Sequence, residues 1–144
     1  MSECFVTAVP AKLVPFLWDK AIGFLAPAIE KSNGEATAEN IYKSCCADDS
    51  LLVLISKDEA VIGAAILSIY TYETGKKVLS ICQLGGTDMK DWLDKACEFA
   101  MKTAISTGCE EIYAIGREGW ERALADQGYS KLHTIVSIKV EKKI

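Results

Sequence analysis

Apolar residues recur along this chain in two rhythms, and the switches between them mark out ten elements. Cys4-Phe5-Val6-Thr7-Ala8-Val9 reads as a first strand, closed by Pro10. From Lys12 to Lys31 the rhythm is helical, with Leu13, Phe16, Leu17, Ile22, Leu25 and Ile29 on one broad face. Pro15 suits the first turn of that helix, and Pro27 is expected to end or kink it. Trp18 and Phe24 either line a groove or pack in the core, and large helical aromatics favour the core. After Ser32-Asn33-Gly34, Thr37 is placed to cap a short helix over Ala38 to Cys46, with Ile41 and Tyr42 turned inward.

Leu51 to Ile55 is a continuous apolar run, as expected of a central strand buried on both faces. Val61 to Tyr72 is a longer strand, in which Gly63 signals a bulge or a close backbone approach. A Glu73-Thr74-Gly75-Lys76 turn leads into a strand over Val78 to Leu84. Gly85-Gly86 is read as breaking that strand, with Thr87 or Asp88 capping the helix that follows. In that helix Met89, Trp92, Leu93, Ala96, Phe99, Ala100 and Ile105 form the apolar face, and Gly108 ends it. Glu111 to Ile115 is a further strand, Gly116 a turn, and Glu118 to Gln127 a helix stopped by Gly128. From Tyr129 to Val140 the rhythm returns to two, with Leu132, Thr134, Val136, Ile138 and Val140 on one face.

The order β-α-α-β-β-β-α-β-α-β predicts an α/β protein with a mixed sheet (of α+β character), antiparallel hairpins first and one parallel crossover near the end. The stretch from Val78 to Tyr129 is its centre. Ligands of such sheets sit beyond the carboxyl ends of parallel strands. A Gly-Gly pair there, meeting a helix N-terminus, offers backbone N–H groups to a phosphate or pyrophosphate. The same glycines equally serve a tight turn with no ligand.

Charge and composition narrow the classes. The 144 residues suit one domain, 1–144, with no linker or repeat. A net charge of −4 with scattered basic residues argues against a nucleic-acid partner. No apolar stretch reaches membrane-spanning length, which argues against a membrane partner. The six cysteines contain no C-x-x-C pair and the one histidine, His133, falls in the last strand, so a zinc site is not expected. These features, and an N-terminus without a leader pattern, suggest a reducing, cytoplasmic setting.

The element order resembles that of the GNAT superfamily of acyl-CoA-dependent N-acyltransferases, over nearly the whole chain. The family's loop reads approximately Q/R-x-x-G-x-G/A, and here it is Gln83-Leu84-Gly85-Gly86-Thr87-Asp88. Gln83 and Gly86 match, whereas Asp88 replaces the last small residue. The resemblance implies acetyl-CoA as cofactor, its pantetheine arm between the strands Val78–Leu84 and Glu111–Ile115. Its pyrophosphate is then expected on the backbone N–H groups of Gly85 to Met89. An aspartate beside a pyrophosphate is electrostatically unfavourable. Arg117, just past the second strand, either pairs with a phosphate or a substrate carboxylate, or makes a surface salt bridge to Glu118 or Glu121.

The resemblance also assigns chemistry, and here the chain departs from the pattern. The family's usual acid is a tyrosine four residues before the glycine of a Gly-Phe/Tyr ending; counted back from Gly128, that position is Leu124. The usual base is a glutamate on the strand matching Val78–Leu84, which has no carboxylate. Tyr70, Tyr72, Tyr113 and Glu118 are the substitutes at hand, Tyr113 and Glu118 being the catalytic candidates, although strand aromatics also simply pack. Gly116 to Leu124 with Gly128-Tyr129, together with Val9-Pro10, Trp18 and Leu51-Leu52, is similar to short GNAT-like proteins of bacteriophages and prophages. That similarity implies a host-cell cytoplasmic or virion-associated protein. Two functions follow: an acetyl-CoA-dependent N-acetyltransferase of a small-molecule amine or a protein amine, or a non-catalytic module binding a phage or host protein.

Overall fold

In the computed structural model, residues 3–116 and 118–140 are described, apart from the Glu118 side chain. Five strands form one sheet in chain order: β1 (Cys4–Val9), β2 (Leu51–Lys57), β3 (Ala60–Thr71), β4 (Lys77–Gly86) and β5 (Glu111–Ala114). The first three pairings are antiparallel and β4 with β5 is parallel, the expected crossover. The helices are α1 (Val14–Glu30), α2 (Ala38–Cys46), α3 (Met89–Thr107) and α4 (Glu118–Ala125).

Alternation along β2 separates two layers of core. Leu52 and Leu54 face α1 and α2 together with Ala64, Ile66, Leu25 and Cys45. Val53 faces α3 together with Ala65, Leu67, Leu79 and Ala104. All four of Leu52 to Ile55 are buried, as a two-sided central strand requires. Trp18 packs edge-on against Tyr42 with ring centroids 5.3 Å apart, which places it in the first of these layers.

Local chemistry explains most boundaries. The Thr37 hydroxyl accepts from the Asn40 N–H at 3.1 Å and starts α2. Gly108 at φ +75° ends α3 in the left-handed conformation that favours glycine. Pro27 neither ends nor breaks α1, which runs on to Glu30. So close to the helix end, its missing donor removes one bond and the last turn still forms, with Lys31 N–H donating to the Pro27 carbonyl at 3.2 Å. Gly63 answers to both expected roles: Ile62 is an extra residue in the β2–β3 register beside it, and a Cβ on Gly63 would lie 3.0 Å from the Gly85 carbonyl.

Two expectations need correction. Gly85 and Gly86 do not turn the chain but extend β4, paired with Ala64 and Gly63. Tyr129 to Val140 is not a strand: residues 129–140 carry no regular secondary structure, and His133 lies among them. Period-two alternation requires a partner backbone before it becomes a strand, and these residues find none among the described ones. No helix of the described residues is long and apolar enough to cross a membrane.

Candidate functional site

The site is a fork in the sheet. β4 and β5 pair from Val78 with Glu111 to Ile81 with Ala114, and one more bond runs from the Ile115 N–H to the Ile81 carbonyl at 3.3 Å. β4 then continues to Gly86 without a partner on that side among the described residues. The cause is Cys82. Leu67 pairs with Ile81 and Ile66 with Gln83, so Cys82 is a bulged residue, and a bulge bends and twists its strand away from a neighbour. The Thr87 N–H donates to the Ile62 carbonyl at 2.8 Å, toward β3. By strand alternation the backbone of Gln83 and Gly85 also faces β3, and that of Leu84 faces the fork.

Two unlike walls flank the fork. On the α3 side a small apolar void, with room for about one water, runs through the core between the sheet and α3, from Val53 and Leu67 to Ile81, Leu84, Cys97 and Leu124. Leu124 is 3% exposed, so α4 presents an alkyl group there and no proton. On the α1 side the Gln83 Oε1 is buried without a hydrogen-bond partner. Such a buried acceptor is an open demand for a donor.

The phosphate end is narrower than the loop motif implies. Gly85 faces β3 in the strand pairing and the Thr87 N–H is engaged by Ile62, so of the expected Gly85–Met89 cradle the amides of Gly86, on the fork side, and of Met89 are what an anion can use, with the helix-start amide of Lys90 just beyond it. Trp92, fully buried, fixes this corner by donating from Nε1 to the Thr87 carbonyl at 2.7 Å. Asp88 stands at the N-cap with φ 54° and makes no side-chain cap bond. Asp91 pairs with Lys57 at 3.1 Å, and that hydrogen bond, then the Asp91 charge, holds the Lys57 ammonium above its usual range. Asp91 is thus ion-paired, whereas Asp88 makes no salt bridge among the described residues, although its charge also acts on Lys57. Asp88→Asn is expected to tighten CoA about threefold at low salt, the effect fading as ionic strength rises. Calorimetric titration of both proteins across a salt series checks this.

The other candidates lie apart from the loop. Tyr113 pairs with Ser80, one position before the fork opens, on the face opposite α3. Its phenol neighbours Tyr72 and Lys76 of the β3–β4 hairpin; partial burial first, then Tyr113, pushes the Tyr72 phenol up. Tyr70 and Tyr72 stack edge to face, 4.7 Å between centroids. Tyr113 therefore stands one pair short of the fork while its phenol joins a tyrosine cluster on the β3–β4 hairpin side, away from Gly86. Glu118 opens α4, its side chain outside the described residues, and Arg117 lies outside them altogether.

Sequence reasoning missed two features. The first is the Tyr129 hydroxyl, buried and without a partner among the described residues. Burial first, then Cys97, pushes its pKa up to about 12, so it remains an O–H donor at neutral pH. Cys97 lines the apolar cavity, which brings this phenol to the same wall as Leu124. Reading Tyr129 as the first residue of a strand concealed it. Tyr129→Phe is expected to leave stability equal or raise it by about 1 kcal/mol, since it removes an unsatisfied buried group, while lowering any turnover. Thermal melts and initial rates on the same variant check the split.

The second is a chain of hydroxyls, Ser44 to Ser50 to Ser68 at 2.8 Å each, ending beside the Cys82 thiol. These serines are remote in sequence and no local pattern links them. Burial raises the Cys82 thiol despite the Ser68 hydroxyl, and pushes Cys45 up to about 11. Both thiols stay protonated at neutral pH and are not nucleophiles.

No protein-family model and no curated protein matches the chain. Solved structures do. Glucosamine-6-phosphate N-acetyltransferase from Arabidopsis thaliana superposes with a TM-score of 0.64 at 15% identity, covering 96% of this chain and 99% of that one. An aminoglycoside N-acetyltransferase in complex with CoA gives 0.67 at 13% identity, covering 99% and 97%. A protein described as a predicted acetyltransferase, from Clostridium acetobutylicum with acetyl-CoA, gives 0.67 at 8% identity, covering 94% and 96%. At these identities the likeness is one of fold: the chain has the mixed α/β fold of GNAT acetyltransferases.

Proposed function

We propose that this protein is an acetyl-CoA-dependent N-acetyltransferase, acting on a small-molecule or protein amine, with the acetyl group held in the fork between β4 and β5. The observation that carries the reading is the bulge at Cys82, which opens a parallel pair and turns the Leu84 backbone into the gap. The residues present fit the cofactor. The orphaned Gln83 Oε1 suits an amide N–H, and the Met89 and Lys90 amides suit a phosphate. Arg117 is a second phosphate ligand in this reading.

When bound, acetyl-CoA supplies an activated thioester. The Leu84 N–H is placed to donate to the oxyanion that develops as an amine attacks, a role needing no special side chain. Proton removal falls to water, because β4 carries no carboxylate between Val78 and Leu84. The Tyr129 phenol is an O–H donor on the wall where Leu124 stands.

The buried Leu124 favours a second reading, a non-catalytic module that binds a phage or host protein and lacks the acid. Native mass spectrometry of the purified protein, followed by calorimetry with acetyl-CoA, separates the two. The enzyme reading expects bound CoA, a dissociation constant in the range of roughly 1 µM–1 mM, and turnover of an amine panel well below the ordinary ~10 s⁻¹. Absence of binding at millimolar acetyl-CoA overturns it and leaves the module. Turnover at the ordinary rate would show that a full set of acid–base groups exists.

A further inference from the structure

We infer that the hydroxyls of Ser68, Ser50 and Ser44 carry away the proton that an amine acceptor must lose, from the α1 side of the fork to the surface corner between α2 and β2. The inference deepens the acetyltransferase reading and rests on it. An alkyl amine arrives at neutral pH as an ammonium ion. Ammonium and acetyl-CoA together give the N-acetylamine, the CoA thiol and one proton, and that proton needs an exit. β4 offers no carboxylate between Val78 and Leu84 to take it. The α3 side of the fork is closed to it by Ile81, Leu84 and Leu124.

The α1 side is different. Cys82, the bulged residue that opens the fork, packs its side chain there, and the Ser68 hydroxyl stands beside its thiol. Ser80, opposite Ser68 in register, is the one buried polar residue among the described ones, so the polar strip reaches β4 itself. From Ser68 the chain is continuous: Ser68 to Ser50 and Ser50 to Ser44, each 2.8 Å between oxygens. Either hydroxyl of each pair can be the donor, so the chain can reverse its polarity, as a relay must. All three serines are half-buried, whereas Asp48 and Asp49, at the outer end, are exposed. The Ser44 carbonyl ties that corner to α2 by accepting from the Asp49 and Ser50 N–H groups at 2.9 and 3.2 Å. A water beside Cys82 takes the ammonium proton and gives one of its own to Ser68. Ser68 passes one to Ser50, Ser50 to Ser44, and Ser44 to solvent. Each oxygen ends with the protons it began with, and the amine is left neutral to attack the thioester.

The experiment is initial-rate measurement with acetyl-CoA and the amine panel in mixtures of light and heavy water. For the wild type, kcat is expected to fall along a bowed curve as the deuterium fraction rises, because several protons move together. Ser50→Ala removes the middle oxygen and lies on neither strand of the fork. It is expected to lower kcat about tenfold, less than a general base in contact contributes, and to straighten the curve with the KM for acetyl-CoA unchanged. Ser50→Thr keeps a hydroxyl and is expected to restore both the rate and the curvature. A thermal melt confirms folding, and Ser44→Ala repeats the test at the outer end should Ser50→Ala unfold. A straight curve for the wild type, or an alanine variant with unchanged kcat, overturns the relay and leaves the enzyme reading standing. A threonine variant as slow as the alanine also overturns it, since Ser50 then acts only by packing. A wild type that acetylates no amine overturns the enzyme reading and the relay with it.

Discussion

Gly85→Ala is expected to destabilise the protein by about 3 kcal/mol, the upper end of what overpacking a close contact costs. The added methyl would overlap the Phe24 carbonyl oxygen of α1, a backbone atom that no side-chain rotation can move. Either α1 lifts from the sheet or β4 shifts, and both disturb the fork. Gly86 is nearly as confined: a Cβ there would stand 2.6 Å from the Ile62 carbonyl and 2.8 Å from the Gly63 Cα. Gly23→Ala is the control. It lies on the exposed side of α1 with open space around it, and helix propensity predicts a gain of up to about 1 kcal/mol. Urea unfolding of the three proteins decides the matter. Equal midpoints for wild type and Gly85→Ala would show that α1 yields freely and that the helix does not set the geometry of β4.

Leu124→Tyr is expected to raise kcat about 10²-fold, the lower end of what a placed general acid contributes. Leu124 shares its cavity with Ile81 and Leu84, which flank the bulge, so a phenol at that position reaches the wall of the fork. Leu124 is 3% exposed, so the larger ring also costs stability, which the melt reads. Initial rates with acetyl-CoA and an amine panel, run alongside a thermal melt, provide the measurement. A folded variant with unchanged kcat would mean that proton transfer does not limit the reaction or that chemistry occurs elsewhere.

Much of the fold is legible where pattern and environment agree. The unbroken Leu51–Ile55 run is a central strand buried on both faces, and the apolar stripe from Met89 to Ala100 packs α3 on the sheet, although Ile105, assigned to the same face, is 71% exposed. The site is less legible, because its decisive features depend on partners distant in sequence. Gly85-Gly86 looks like a break, since glycine weakens a strand, and only the Phe24 carbonyl lying on β4 explains why glycine is required within it. The bulge at Cys82 is a matter of register against β3 and leaves no local mark. The tyrosines read as stand-in catalysts gather on the β3–β4 hairpin side of the sheet, while Tyr129, read as an ordinary strand residue, holds a buried hydroxyl with no partner among the described residues. The 129–140 segment has the rhythm of a strand, but rhythm alone supplies no neighbour.

The spatial order of the sheet, β1 to β5, repeats the order of synthesis. Each new strand can therefore dock on the one made before it, as local pairings form sooner than remote ones. The main exception is α3, which reaches across to the first strand, where Lys95 donates from Nζ to the Cys4 carbonyl at 2.9 Å. A nascent chain can lay down β1 to β4 as a growing meander with one face covered by α1 and α2. Its other face, with Val53, Ala65, Leu67 and Leu79, stays wet until α3 emerges and clamps both ends together. The chain is then most exposed to aggregation on the ribosome between the completion of β4 and the arrival of α3, and a pause in translation there would lengthen that interval.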